Sequence, residues 1–129
     1  MNNIVLIIKG GEFRRKFENI ARKNKFWTHV IYPEDFKRHF LEIITPKEEF
    51  INIEYEYVKS KYKWMVENCR ENRDGFCLII SGLSDLDSEL FIKEDLGAFS
   101  VDELGDSSPE EVFNILSGKM KEVNTYATV

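Results

Sequence analysis

The chain has 129 residues, with 18 Lys+Arg against 23 Asp+Glu, a formal net charge of -5, and 43% hydrophobic and 32% charged residues. This length fits one domain with a core of its own, and the apolar share excludes wholesale disorder. The acidic total argues against direct nucleic-acid binding, and no stretch approaches the roughly 20 apolar residues of a membrane span.

Ile4–Ile8 is a continuous apolar run, the pattern of a strand covered on both faces. No basic region precedes it and no small-residue cleavage site follows it. It therefore reads as a first strand rather than a signal peptide, and a cytoplasmic chain is expected. Gly10-Gly11 then turns the chain into a helix on which Phe13, Phe17, Ile20 and Ala21 share one side. Phe26–Tyr32 is aromatic and β-branched and reads as a second strand.

A helix over about residues 34–44 places Phe36, Phe40, Ile43 and Ile44 together. The next helix opens at Thr45-Pro46, with Glu48 at the capping-box position. It runs to about residue 72 along Ile51, Tyr55, Val58, Tyr62, Met65 and Cys69. Ile51, Ile53, Tyr55 and Tyr57 also alternate with polar residues, as a strand would. The cap upstream and the apolar stripe downstream favour the helix.

Phe76–Ile80 is the second fully apolar strand. Leu90–Ile92 and Ala98–Val101 read as a hairpin across Asp95-Leu96-Gly97. A last helix, about 109–121, opens with Ser108-Pro109 and Glu111 and buries Val112, Phe113, Leu116 and Met120. Val123–Val129 alternates and reads as an edge strand. The expected fold class is α/β, with α+β as the alternative. It has a single mixed sheet of about five or six strands, with about four helices packed on it, in one domain spanning 1–129.

The chemistry-bearing residues fall into few patterns. Gly10-Gly11 joins a buried strand to a helix carrying Arg14, Arg15, Lys16, Arg22, Lys23 and Lys25. Such a helix start can hold phosphate, but neither GxGxxG nor GxxxxGK[ST] is present, and Glu12 would repel an anion. Asp85 and Asp87 follow an apolar strand, where α/β proteins hold metal or substrate. The run from Asp85 fails as an EF-hand, because Leu90 replaces the glycine and Leu96 the bidentate Glu.

Cys69 and Cys77 lie on apolar elements and read as inert, reduced thiols. Two Cys and two His (His29, His39) show no CxxC or HxxxH spacing, so no closed zinc site is expected. Ser81-Gly82-Leu83-Ser84 is not a nucleophile elbow. No catalytic residue, metal or cofactor is assigned.

Charge is unevenly spread. Residues 1–31 hold seven basic and two acidic side chains, and residues 74–129 hold three and twelve. The acidic segment is the expected partner-binding surface, with Asp85, Asp87, Glu89, Glu94, Asp95, Asp102, Glu103 and Asp106 as its residues. Such a surface steers encounter with a basic protein. The first expectation is thus a non-enzymatic binding protein of the immunity or antitoxin kind. It would cover the active site of a basic toxin such as a nuclease, with no nucleic acid or membrane of its own to bind. The alternative is a small α/β enzyme or regulatory domain that takes a phosphate- or metal-containing ligand near Gly10-Gly11 and Asp85/Asp87. That alternative requires strands 4–8 and 76–80 to be parallel neighbours.

Overall fold

The two uninterrupted apolar runs lie side by side at the centre of the sheet. The computed structural model describes residues 2–45, 57–81, 92–104 and 106–127. Its strands are β1 (Asn3–Ile7), β2 (Trp27–Val30), β3 (Phe76–Ile80) and β4 (Phe99–Ser100), in the order β2-β1-β3-β4. Every pairing among them is parallel, with Val5 opposite His29 on one side and Leu78 on the other. Among the described residues there are four strands where five or six were expected, and the sheet they form is parallel rather than mixed. Parallel neighbours need crossovers, and these are helical.

Helix α1 (Glu12–Lys23) links β1 to β2. Helices α2 (Pro33–Arg38), α3 (Phe40–Ile44) and α4 (Tyr57–Glu71) lie between β2 and β3. The expected helix over 34–44 is therefore two, parted at His39 (φ -116°, ψ 26°). Residues 46–56, where helix and strand patterns competed, lie outside the described residues, and the backbone is helical from Tyr57 on. A short helix α5 includes residues 92–96, a 3-10 turn spans Val101–Leu104, and α6 spans Pro109–Ala127. The Ser108 hydroxyl accepts the Glu111 N–H at 3.2 Å, the cap that the sequence predicts.

Residue alternation along β1 divides the core. Val5 and Ile7 face a layer containing Ile31, just after β2, and Phe36, Ile43, Tyr62, Met65, Val66, Ile92 and Leu96, from α2, α3, α4 and α5. Ile4, Leu6 and Ile8 face Phe17, Ala21, Val112, Phe113, Leu116 and Met120, from α1 and α6. The steps from β1 to β2 and from β2 to β3 run in opposite directions, so crossovers of one hand place their helices on opposite faces. The result is a three-layer, doubly wound α/β fold.

Where two further strands were expected, the described residues, Ile92 and 123–127, are helical. Ile92 and Leu96 are four residues apart and both fully inside one core, which a helical turn achieves and a strand does not. Gly97 (φ 65°) stops that turn in the left-handed region, and among the described residues β4 pairs with β3 in parallel and forms no hairpin with Ile92. The expected strand over 123–129 is helical through Ala127, because no Gly or Pro after Met120 interrupts α6.

Candidate functional site

The carboxyl ends of β1 and β3 form the topological switch point of this sheet. The strands are adjacent and parallel, with Ile7 opposite Ile80. The chain leaving β1 enters α1 on one face, while the chain leaving β3 reaches α5 on the other. A point where successive chain segments diverge to opposite faces is the place where open α/β sheets bind ligands. The condition required by the small-ligand alternative is met at the level of strand pairing.

Two clefts open at this edge, with exposed Lys9 lining both. The first has a volume of about 350 Å³ and is walled by Ile8, Lys9, Phe13, Ser81, Val101, Asp102 and Ser107. Its position is fixed by the ladder: the Ser81 N–H donates to the Ile7 carbonyl at 3.2 Å, directly extending β3. The Ser81 hydroxyl then donates to Asp102 Oδ1 at 3.0 Å, tying the end of β3 to the turn after β4. The second cleft, about 570 Å³, is walled by Lys9, Gly10, Tyr32, Pro33, Glu34, Asp35 and Lys37, between the ends of β1 and β2.

Arg14 braces the strand-to-helix turn. Its Nη1 donates to the Ile8 carbonyl at 3.2 Å, its Nε lies 3.6 Å from Glu18, and its guanidinium sits over the Tyr32 ring at 5.9 Å. A Cβ at Gly10 would come within 3.2 Å of Arg14 Nη2, so glycine gives the guanidinium its seat. Gly11, with extended backbone, occupies the N-cap of α1 and provides no side-chain cap. The first-turn N–H groups and the helix dipole therefore add positive potential beside Lys9. Glu12 is paired with Lys16 at 2.9 Å, and that hydrogen bond lowers its pKa. The repulsion expected from Glu12 is thereby offset.

Across the second cleft, Asp35 Oδ2 accepts the Tyr62 hydroxyl at 3.0 Å. Burial, with Asp35 beside it, pushes the Tyr62 hydroxyl up to about 12. That bond anchors α2 to α4 and holds one wall of the cleft in place.

The acidic residues do not form one patch among the described residues. Asp85, Asp87 and Glu89 lie outside them. Glu94 is exposed on α5, and next to it Asp95 Oδ2 accepts Arg70 Nη2 at 2.6 Å while the Asp95 carbonyl accepts Arg73 Nη2 at 2.6 Å. Arg70 and Arg73 belong to the segment that enters β3, so Asp95 sits at the amino edge of the sheet. Asp102 lies at the carboxyl edge, and exposed Asp106 follows it before α6. Glu103 lies in the 3-10 turn between them. Asp95 and Asp102 are therefore at opposite ends of the fold, and Asp95 is engaged in closing the α4–β3 corner.

Neither cysteine is positioned as a nucleophile. Burial pushes the Cys69 thiol up to about 12 and the Cys77 thiol upward as well, and both are free. His29 lies away from both clefts, against Trp64 and Phe76, with Nε2 3.0 Å from Asn3 Oδ1. Among the described residues, no three His, Cys, Asp or Glu side chains are grouped to hold a metal ion. Lys9 and Ser81 were missed by motif reading, yet each directly follows an apolar strand run, and that position is itself the signal.

No protein-family model, curated protein or solved structure matches this chain.

Proposed function

We propose that this chain is a small α/β binding domain that takes a phosphate-bearing small molecule in the crevice between the carboxyl ends of β1 and β3. The observation that supports it is the parallel adjacency of β1 and β3 with exposed Lys9 at the opening. Lys9 supplies a cation and the uncapped start of α1 supplies N–H groups, while the Ser81 hydroxyl, whose single proton goes to Asp102, shapes the wall rather than donating to the anion. Asp102 across the cleft holds that hydroxyl in place and limits how much negative charge the site accepts. The chemistry is binding, and no residue is assigned a catalytic step.

The test is a melting scan of the full chain with inorganic phosphate, ribose 5-phosphate and other small phosphate esters. A ligand at 100 times its dissociation constant adds about 2.7 kcal/mol of stability. Lys9→Gln should remove most of that stabilisation while leaving the melting temperature of the free chain close to wild type, since Lys9 is exposed. No stabilisation by any phosphate ester at millimolar concentration sinks the reading.

A second reading retains the basic protein partner, a toxin or nuclease domain neutralised by steric cover. Exposed Asp102, Asp106, Glu110 and Glu111 at the β4–α6 corner support it, with Asp85, Asp87 and Glu89 as further candidates. A partner captured through this corner should associate more slowly as salt rises, and reversing Asp102 and Asp106 to Lys should abolish capture.

A further inference from the structure

We infer that the second cleft binds the nucleoside part of the ligand, so that the phosphate-bearing molecule is a ribonucleoside 5′-monophosphate. The inference rests on the phosphate reading of the switch point and assigns the space beside it. Lys9 lines both clefts, so a ligand whose phosphate meets Lys9 has its remaining atoms directed into one cleft or the other. The second, at about 570 Å³, is far larger than a phosphate needs and lies within the usual range of small-molecule pockets.

The wall chemistry selects among phosphate esters. Beyond Lys9 the walls carry Glu34 and Asp35 against Lys37, which leaves no excess of positive charge for a second phosphate, so the cleft suits an uncharged portion. Tyr32 stands at the mouth with 55% of its surface exposed, while Arg14 lies over its ring. A large ring exposed in a cleft is a stacking platform for a planar base. Glu34, in the first turn of α2, is an exposed carboxylate, and a carboxylate accepts hydrogen bonds from the two hydroxyls of a ribose. Asp35 is already engaged by Tyr62, so that role falls to Glu34. Gly10 completes the wall, and the space its missing Cβ leaves is taken by the Arg14 guanidinium beside it. An aromatic platform, a diol acceptor and a cation in one connected space match base, ribose and phosphate. The net charge of -5 favours a free mononucleotide over a polyanion.

The experiment is calorimetric titration of the full chain with the four ribonucleoside 5′-monophosphates, their 2′-deoxy forms, ribose 5-phosphate and inorganic phosphate. At least one ribonucleotide should bind about tenfold or more tightly than ribose 5-phosphate, the usual return from one stacked base. Tyr32→Ala should bring that ratio close to one, and Tyr32→Phe should restore it. Glu34→Gln should reduce the preference for ribose over deoxyribose. Ribonucleotides binding no tighter than ribose 5-phosphate would overturn the nucleoside assignment and leave the phosphate site standing. A tenfold advantage that survives Tyr32→Ala overturns the placement in this cleft. Failure of every probe to bind overturns both readings.

Discussion

At the scale of single residues, His29 shows how the same side chain reads differently once its neighbours are known. In the sequence it is a lone histidine in a strand. In the fold it is half-buried on β2, beside Trp64 and Phe76, with Nε2 donating to Asn3 Oδ1. Burial lowers its pKa from the ordinary 6.5, and Lys61 adds to the effect. The folded state thus binds a proton less readily than the unfolded chain does. Below pH 6.5 the unfolded chain gains that proton first, so His29 stabilises the fold above this pH and the contribution is lost as pH falls. The melting temperature should decline between pH 7.5 and 5.5, and His29→Gln, which can keep the Asn3 bond, should flatten that decline. An unchanged slope in the variant refutes the assignment. Asp95 teaches the converse lesson. The sequence offers it as one of eight partner-binding acids, and in the fold it also closes the corner between α4 and β3 through Arg70 and Arg73. Nothing in a local sequence window marks that role, because its partners are 25 and 22 residues away.

At the scale of elements, the end of α1 shows why some boundaries are set by backbone geometry rather than by side-chain preference. The Phe26 N–H donates to the Ala21 carbonyl at 2.9 Å and the Lys25 N–H to the Arg22 carbonyl at 3.1 Å. This is a Schellman motif, and Lys25 holds its left-handed position at φ 64°. A non-glycine residue there costs about 1–2 kcal/mol, partly offset by the extra chain entropy of glycine. Lys25→Gly should therefore raise stability by about 1 kcal/mol, read as a higher urea midpoint at unchanged slope; a lower midpoint counts against the strain argument. Elements with strong local signals were legible: the apolar runs of β1 and β3, the stripe of α1, and the Ser108-Pro109 start of α6. Those misread carried two patterns at once. The approach to Ile92 read as strand because apolar residues cluster there, while the Ile92–Leu96 spacing already matched one turn of helix. The candidate site was legible only as the Gly10-Gly11 turn. Lys9, Ser81, Tyr32 and Glu34 have no motif in common, and only the strand order brings the ends of β1, β2 and β3 to one edge.

At the scale of the whole molecule, the sheet is a shared wall between two cores, and this fixes how the chain should unfold. β1 alternates Val5 and Ile7 into one core with Ile4, Leu6 and Ile8 into the other, and all five are buried. Neither helical layer can lose its packing without exposing one side of the same central strand. The basic segment 1–31 and the acidic segment 74–129 also meet here, because α1 and α6 cover the same face. Phe113 lies at the centre of that layer, 5.1 Å from the Phe26 ring and 6.0 Å from the Phe17 ring. Phe113→Ala should remove about 3–5 kcal/mol, a large share of the 5–15 kcal/mol typical of a domain. Trp64 lies on α4, across the sheet from Phe113, and reports on the opposite layer. In a Trp27→Phe background, Trp64 fluorescence and far-UV circular dichroism should show one common urea midpoint, shifted equally by Phe113→Ala. Phe113→Leu provides a milder change should the alanine variant be too unstable to purify. Were the two cores independent, the Trp64 midpoint would stay at its wild-type value while the helical signal moved. A parallel sheet buried on both faces makes the shared shift the expected result.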